Sequence, residues 1–306
     1  MFSFSPPRAY LEGVALDCSG EIAFVSHAHA DHAARAKKTI ASDETIELLK
    51  ARGYPVGERH HNGFSLLEAG HVLGSRMLLA EKNGMRALYA PDFRTDDGFT
   101  TKAAHPVECD ELLVGTTFGS PEYVFPERRE VYAEIQNWVA AEQEKGIVVL
   151  GGYALGKAQE LIACLNEGGV APLVNDDVAR VSEVYRRHGV PLDYITPDSA
   201  EGESELGRNF VAVLPFNKVN SVLAGNLWRL YGKMVHIALA TGWAGRRPLD
   251  ADRVFCLSDH CDYPHLLEFV EATGAKKVYT THGFDVAFAR ELQERGIGAQ
   301  PAFGWF

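Results

Sequence analysis

The segment Ser26-His27-Ala28-His29-Ala30-Asp31-His32 constrains this chain more than any other, because three imidazoles and a carboxylate fall within six residues. It follows Ile22-Ala23-Phe24-Val25, an apolar run that reads as a strand. Side chains on a strand repeat every two residues, so His27 and His29 can point the same way where the strand ends. Asp31 and His32 then lie on a turn into a helix and can face a second ion. Neutral imidazole and carboxylate are the usual ligands of zinc and its neighbours. The small alanines between them let the backbone coil around such ions. A solvated His-rich loop is the alternative, and this spacing argues against it.

The rest of the chain alternates strand-like and helix-like segments. Strands are expected at 22–25, 77–80, 87–90, 111–114, 147–150, 211–214, 235–239 and 277–280. Helices are expected at 43–52, 127–144, 156–167, 177–188, 262–273 and 285–295, with Ser42-Asp43 and Asp262 as N-terminal caps. The alternation is that of an α/β protein. The 306 residues suffice for one large domain or two ordinary ones. Most of the histidine chemistry lies before residue 118 and after 257, so a catalytic domain (1–120 and 242–306) interrupted by a second one (121–241) is expected.

Composition excludes little. No run approaches ~18 apolar residues, and the start lacks the regions of a signal peptide, so the expected location is cytoplasmic, with no membrane partner. The five cysteines are scattered and never spaced CxxC, which argues against a disulfide framework or a cysteine zinc site. A net charge of −11 argues weakly against nucleic acid, because a metal cluster consumes carboxylates and local basic pairs such as Lys37-Lys38 and Arg246-Arg247 matter more.

Further ligand candidates each stand at the end of a strand. Gly70-His71-Val72-Leu73-Gly74-Ser75 supplies His71, flanked by glycines that permit close approach. Tyr89-Ala90-Pro91-Asp92-Phe93 supplies Asp92, a carboxylate able to bridge two ions. Thr281-His282-Gly283 supplies His282. Taken together, the HxHxDH segment, GHxxGS, the strand-ending Asp and the late HG resemble the metallo-β-lactamase superfamily. That resemblance implies an αββα sandwich with the motifs along one edge. It assigns His27, His29, His71 and Asp92 to a first metal, and Asp31, His32, Asp92 and His282 to a second. The ions implied are two Zn²⁺, with Mn²⁺ as the alternative.

Three segments narrow the likeness. Thr116-Thr117-Phe118-Gly119-Ser120-Pro121-Glu122-Tyr123-Val124-Phe125-Pro126 resembles the opening of the β-CASP insertion of DNA cross-link repair nucleases. Tyr153-Ala154-Leu155-Gly156-Lys157-Ala158-Gln159-Glu160-Leu161 resembles that insertion's GKAQEL segment, and Ser258-Asp259-His260-Cys261-Asp262 its motif carrying a catalytic histidine. The order is that of β-CASP nucleases. The likeness is greatest to compact bacterial exonucleases associated with an ATP-dependent DNA ligase, often labelled mRNA 3′-end processing factors. The family usually has Asp or Glu where this chain has Gly115, so His260 lacks its usual orienting carboxylate. Restoring an acid there is expected to strengthen His260. The cross-link repair branch often lacks the late histidine, whereas His282 is present.

The resemblance implies a phosphodiesterase that acts as a DNA exonuclease in repair, on single-stranded DNA or DNA ends. An RNA-processing nuclease is the alternative, and a weakly catalytic nucleic-acid-binding protein or a thioester or lactam hydrolase stands behind both. Two metals would lower the pKa of a bridging water and neutralise a phosphate oxygen. Asp31 would orient the hydroxide, and His260 would donate to the leaving oxygen. Lys157, Thr116 and Ser258 are the expected substrate contacts. Gly151-Gly152-Tyr153-Ala154-Leu155-Gly156-Lys157-Ala158 nearly matches a P-loop but lacks its Ser/Thr; a substrate phosphate at this helix start remains an expectation. Phe216 and Trp243 are candidates for base stacking, with core packing the stronger expectation for each.

Overall fold

The structure, a computed structural model, describes residues 1–60, 63–246 and 248–303. The chain divides into two compact units, Met1–Val124 with Asp259–Phe306, and Phe125–Ser258.

The first unit holds two six-stranded sheets. One runs in order β1 (Phe2–Ser5), β2 (Arg8–Leu11), β3 (Val14–Leu16), β4 (Gly20–Phe24), β5 (Ala36–Ile40), β6 (Glu58–Arg59). The other contains β7 (Phe64–Glu68), β8 (Arg76–Lys82), β9 (Met85–Ala90), β10 (Glu111–Gly115), β16 (Lys277–Thr281) and β17 (Ala299–Pro301), in the order β17-β16-β10-β9-β8-β7. Strand periodicity decides how they pack. Leu78, Ala87, Tyr89 and Leu113 point inward and join Leu11, Val14, Phe24 and Ile40 in one core between the sheets. Their neighbours Leu79, Leu88, Leu112 and Val114 point the other way and meet Leu266, Phe269, Phe288 and Leu292. Those four belong to helices α7 (Tyr263–Thr273) and α8 (Asp285–Glu294). Helix α1 (Asp43–Ala51) links the parallel strands β5 and β6 and buries Ile46, Leu48 and Leu49; such a crossover lies on a sheet face. The result is an αββα sandwich.

The second unit has one parallel sheet in the order β12-β13-β11-β14-β15. Its strands are β11 (Gly146–Gly152), β12 (Leu173–Val174), β13 (Val211–Pro215), β14 (Met234–Ala240) and β15 (Arg253–Phe255). Its helices are α2 (Arg128–Gln143), α3 (Lys157–Glu167), α4 (Asp176–Arg187), α5 (Ala200–Leu206) and α6 (Ser221–Tyr231). Strand β11 is buried along its whole length, as expected of a central strand covered on both faces.

Two expectations are corrected here. Residues 242–258 belong to the second unit, because β15 pairs with β14 and buries Phe255. The turn after His32 leads into β5, and no helix begins there. Lys37 and Lys38 lie on β5, where Lys37 is paired with Glu21. Of the pair Arg246-Arg247, Arg247 lies outside the described residues. No helix among the described residues is long and apolar enough to cross a membrane.

Candidate metal centre

Strand direction gathers the site. β9, β10 and β16 run parallel and end toward the same edge, where Asp92, Thr116 and His282 each follow one of these ends, and His27, which follows β4 of the other sheet, comes within 3.7 Å of Asp92. His71 comes from the loop between β7 and β8. Its backbone N–H donates to Ser75 Oγ at 3.1 Å. Arg94 and Thr101 both donate to the Gly70 carbonyl, at 3.3 and 2.9 Å. Gly70 has φ +73°, and a Cβ there would stand 2.5 Å from the Arg94 carbonyl oxygen, so the loop closes only with glycine.

Three ring nitrogens converge. His29 Nδ1 lies 3.0 Å from His27 Nε2 and 3.1 Å from His71 Nε2. Hydrogen bonds behind the rings fix which nitrogens carry lone pairs. His71 Nδ1 is 2.9 Å from the Asp259 carbonyl, which can only accept, so Nδ1 holds the proton and Nε2 is bare. Ser26 Oγ donates to Asp17 Oδ2 at 2.7 Å and therefore accepts from His27 Nδ1 at 2.9 Å. His27 Nε2 is bare as well. Burial, and then the neighbouring imidazoles, depress the pKa of His27 and of His71 well below the usual histidine value, keeping both rings neutral. His29 Nδ1 has at most one proton to share between two such partners. Converging lone pairs at this spacing fit a cation, since ligands about 2.0–2.1 Å from a tetrahedral zinc stand about 3.3–3.4 Å apart.

Asp92 sits in the middle. Its Oδ2 is 3.7 Å from His27 Nε2, 3.6 Å from His32 Nε2 and 3.8 Å from His71 Nε2. Its Oδ1 is 3.8 Å from His260 Nδ1. Burial pushes its pKa up, but the surrounding imidazoles, His260 and His32 foremost, outweigh that and hold it well below the carboxylate range. Three overlapping groups have ligand atoms close enough for an ion: His27, His29 and His71; His27, His32 and Asp92; His71, Asp92 and His260.

The sequence-predicted residues fall out unevenly. Asp31 is exposed, with Oδ2 3.8 Å from His32 Nε2. The His282 ring centre is 5.7 Å from that of His32, and its backbone has φ +61°. Thr116 is fully buried and donates to the His282 carbonyl at 2.7 Å, which fixes the backbone of His282 instead of offering a hydroxyl to substrate. Ser258 is buried, with its carbonyl accepting from Arg128. Lys157 is 1% exposed and folds along β11, where a Cβ at Gly152 would meet its Cγ at 2.7 Å. Its ammonium is therefore not displayed at the helix start as expected. Gly115 has no room for a side chain: a Cβ there would lie 2.1 Å from the Pro91 carbonyl oxygen. The pocket bordered by Pro91, Gly115, Thr117 and His260 holds about 10 Å³, about one water's worth. This contact argues against the expectation that an acid at 115 would help His260.

Sequence reasoning missed Asp17. It follows β3 in the left-handed region, φ +48°. Its carboxylate accepts from Ser26 N and Oγ, both at 2.7 Å, from Tyr89 OH at 2.9 Å and from His32 Nδ1 at 2.9 Å. The signal was available, since Asp17 ends a short apolar run just as Asp92 does. Burial opposes a proton on His32, but Asp17, by charge and hydrogen bond, together with Asp92 and Asp31, raises its pKa to about 9.

No family model matches the chain. It is 33% identical over 294 residues to a probable DNA ligase of Opitutus terrae, a match covering 90% of this chain and 28% of that protein. It is 25% identical to human DNA cross-link repair 1A protein, over 94% of this chain and 30% of that protein. It is 30% identical to an RNase J-like protein of Methanocaldococcus jannaschii, over 34% of this chain and 25% of that protein. The chain thus spans less than a third of the length of these curated relatives. A crystal structure of a protein of unknown function from Enterococcus faecalis shares the fold, with a TM-score of 0.60, 12% identity, and coverage of 90% of this chain and 78% of that one. The chain belongs to the metallo-β-lactamase superfamily, in its β-CASP nuclease branch.

Proposed function

We propose that this chain is a metal-dependent nuclease, an exonuclease that acts on single-stranded DNA or DNA ends in repair. The observation that carries this reading is the bare Nε2 atoms of His27 and His71 turned toward His29, with Asp92 placed to serve two ions at once. Likeness to a cross-link repair protein and to part of a DNA ligase points to DNA, and to functional association with an ATP-dependent ligase. RNA is the second reading, favoured by the presence of His282 and by the RNase J-like relative.

His27, His29, His71 and Asp92 would hold one ion, and His32, Asp92, Asp31 and His282 the other, with zinc favoured by the imidazole-rich set. Bound there, the ions would supply Lewis acidity toward a phosphoryl oxygen and ionise a water near neutral pH. The chain's own residues do the rest. Asp17 and the Asp259 carbonyl fix the tautomers of His32 and His71. Asp31, exposed beside His32, orients the attacking water. His260, beside Asp92, delivers the proton to the departing oxygen. Incubating the metal-supplemented chain with 5′- and 3′-labelled DNA and RNA tests the proposal. Shortening of DNA from an end is the expected result. Cleavage of RNA but never DNA would move the reading to RNA processing, and no cleavage of either would end it.

A further inference from the structure

The second unit has a feature that the metal centre does not use. The connection leaving β11 runs through α3 to β12, on one side of β11 in the sheet, whereas the connection leaving its neighbour β13 runs through α6 to β14, on the other. Contacts at the end of β11 agree, since a Cβ at Gly151 would meet Val219 on the approach to α6 and one at Gly152 would meet Lys157 of α3. Where adjacent parallel strands send their connections to opposite faces, the two loops part and leave a crevice outside the carboxyl ends of the strands, the place where such sheets bind ligands.

Each loop brings an aromatic ring there. Tyr153 follows β11 and Phe216 follows β13; their rings stack with centroids 5.5 Å apart and planes within 11°. Tyr153 is nevertheless 51% exposed. Phe216 lies nearly parallel to the ring, and about half of the Tyr153 surface is left exposed, enough for a flat partner to reach it. Lys218, two residues beyond Phe216, is committed to Asp177 at 3.2 Å, so this spot selects for a π-face more than for charge. A nucleic acid exposes such faces when single-stranded and hides them when paired.

We propose that Tyr153, backed by Phe216, is a stacking platform for one base of a single-stranded nucleic acid. The proposal rests on the nuclease reading above. It predicts a contact that tolerates any base, favours single strands over duplex and adds nothing to the salt dependence of binding.

The test uses the full chain in chelator, so that nothing is cut, and single-stranded oligonucleotides carrying 2-aminopurine or one abasic site. Tyr153→Ala should bind about tenfold more weakly, and Tyr153→Phe should bind within about twofold of the parent, because the ring face is kept. The salt slope should be unchanged. For an abasic site at one particular position, the parent and Tyr153→Ala should bind alike, because the base that stacks is already gone. Equal binding by Tyr153→Ala and the parent on intact strands would overturn the platform. So would a loss of equal size at every abasic position, which marks general damage. If the metal-loaded parent cuts DNA normally in either case, only the platform falls. If the parent neither binds nor cuts any nucleic acid, the nuclease reading falls with it.

Discussion

Asp17 Oδ2 accepts the Nδ1 proton of His32 at 2.9 Å while the same carboxylate receives Ser26 and Tyr89. A carboxylate behind a ligand histidine fixes its tautomer and raises its basicity. Asp17→Asn replaces an acceptor with an amide that can turn a donor toward the ring. The expected outcome is metal affinity lower by about 10- to 100-fold with the fold retained, read by competition against a chromophoric chelator alongside circular dichroism. Unchanged affinity would remove Asp17 from the metal centre.

The same pair sets a pH dependence. His32 is raised from 6.5 to about 9 in the metal-free fold. A raised pKa contributes stability fully below the unfolded value and loses it as pH climbs through the folded one. The metal-free chain should therefore lose this contribution between pH 6.5 and 9. A cation bound at Nε2 must displace that proton, so metal affinity should rise over the same window. Calorimetry at pH 7.5 in buffers of different ionisation enthalpy should show proton release on zinc binding, and Asp17→Asn should reduce it.

Asp92→Ala should abolish activity and leave the fold largely intact. The carboxylate lies within 3.8 Å of four histidines, so its loss should weaken both proposed metal groups at once and deprive protonated His32 of one of its counter-charges. Elemental analysis should fall from about two zinc ions per chain to one or none. Retained activity would show that the site is drawn wrongly.

Gly115→Ala should destabilise the chain, and Gly115→Asp more so. The added Cβ meets the Pro91 carbonyl oxygen, and backbone on both sides must give way, at a cost of about 1–3 kcal/mol. Because Pro91 directly precedes Asp92, zinc content should fall along with the denaturation midpoint. A Gly115→Asp chain that is both stable and more active would mean that β10 moves aside more readily than its pairing with β9 and β16 suggests.

Much of this was legible in the sequence because local chemistry wrote it. The strands and helices named from periodicity form, and the HxHxDH segment sits at a strand end. What escaped depends on distant partners. β15 is three residues long and exists only through its pairing with β14. α6 shows no clean apolar stripe, since Val222, Trp228 and Leu230 are exposed on it. Asp17 looks ordinary until residues 26, 32 and 89 fold around it. Lys157 looked like a displayed cation because sequence records a helix start but not the depth at which it lies.

Strand β10 pairs with β9 on one side and with β16 on the other, Glu111 lying opposite Lys277. On the ribosome those partners are not contemporaries. At about 5–20 residues per second, β16 is made roughly ten to thirty seconds after β10, once the whole of Phe125–Ser258 has been synthesised. If β10 pairs with β9 as soon as both are made, Leu112, Leu113 and Val114 would present an apolar strand with one open edge for that interval, the kind of edge that recruits other chains. The second unit is complete before β16 exists, so the exposed moment in this protein's synthesis would belong to the half-built sheet whose edge carries Asp92 and His282.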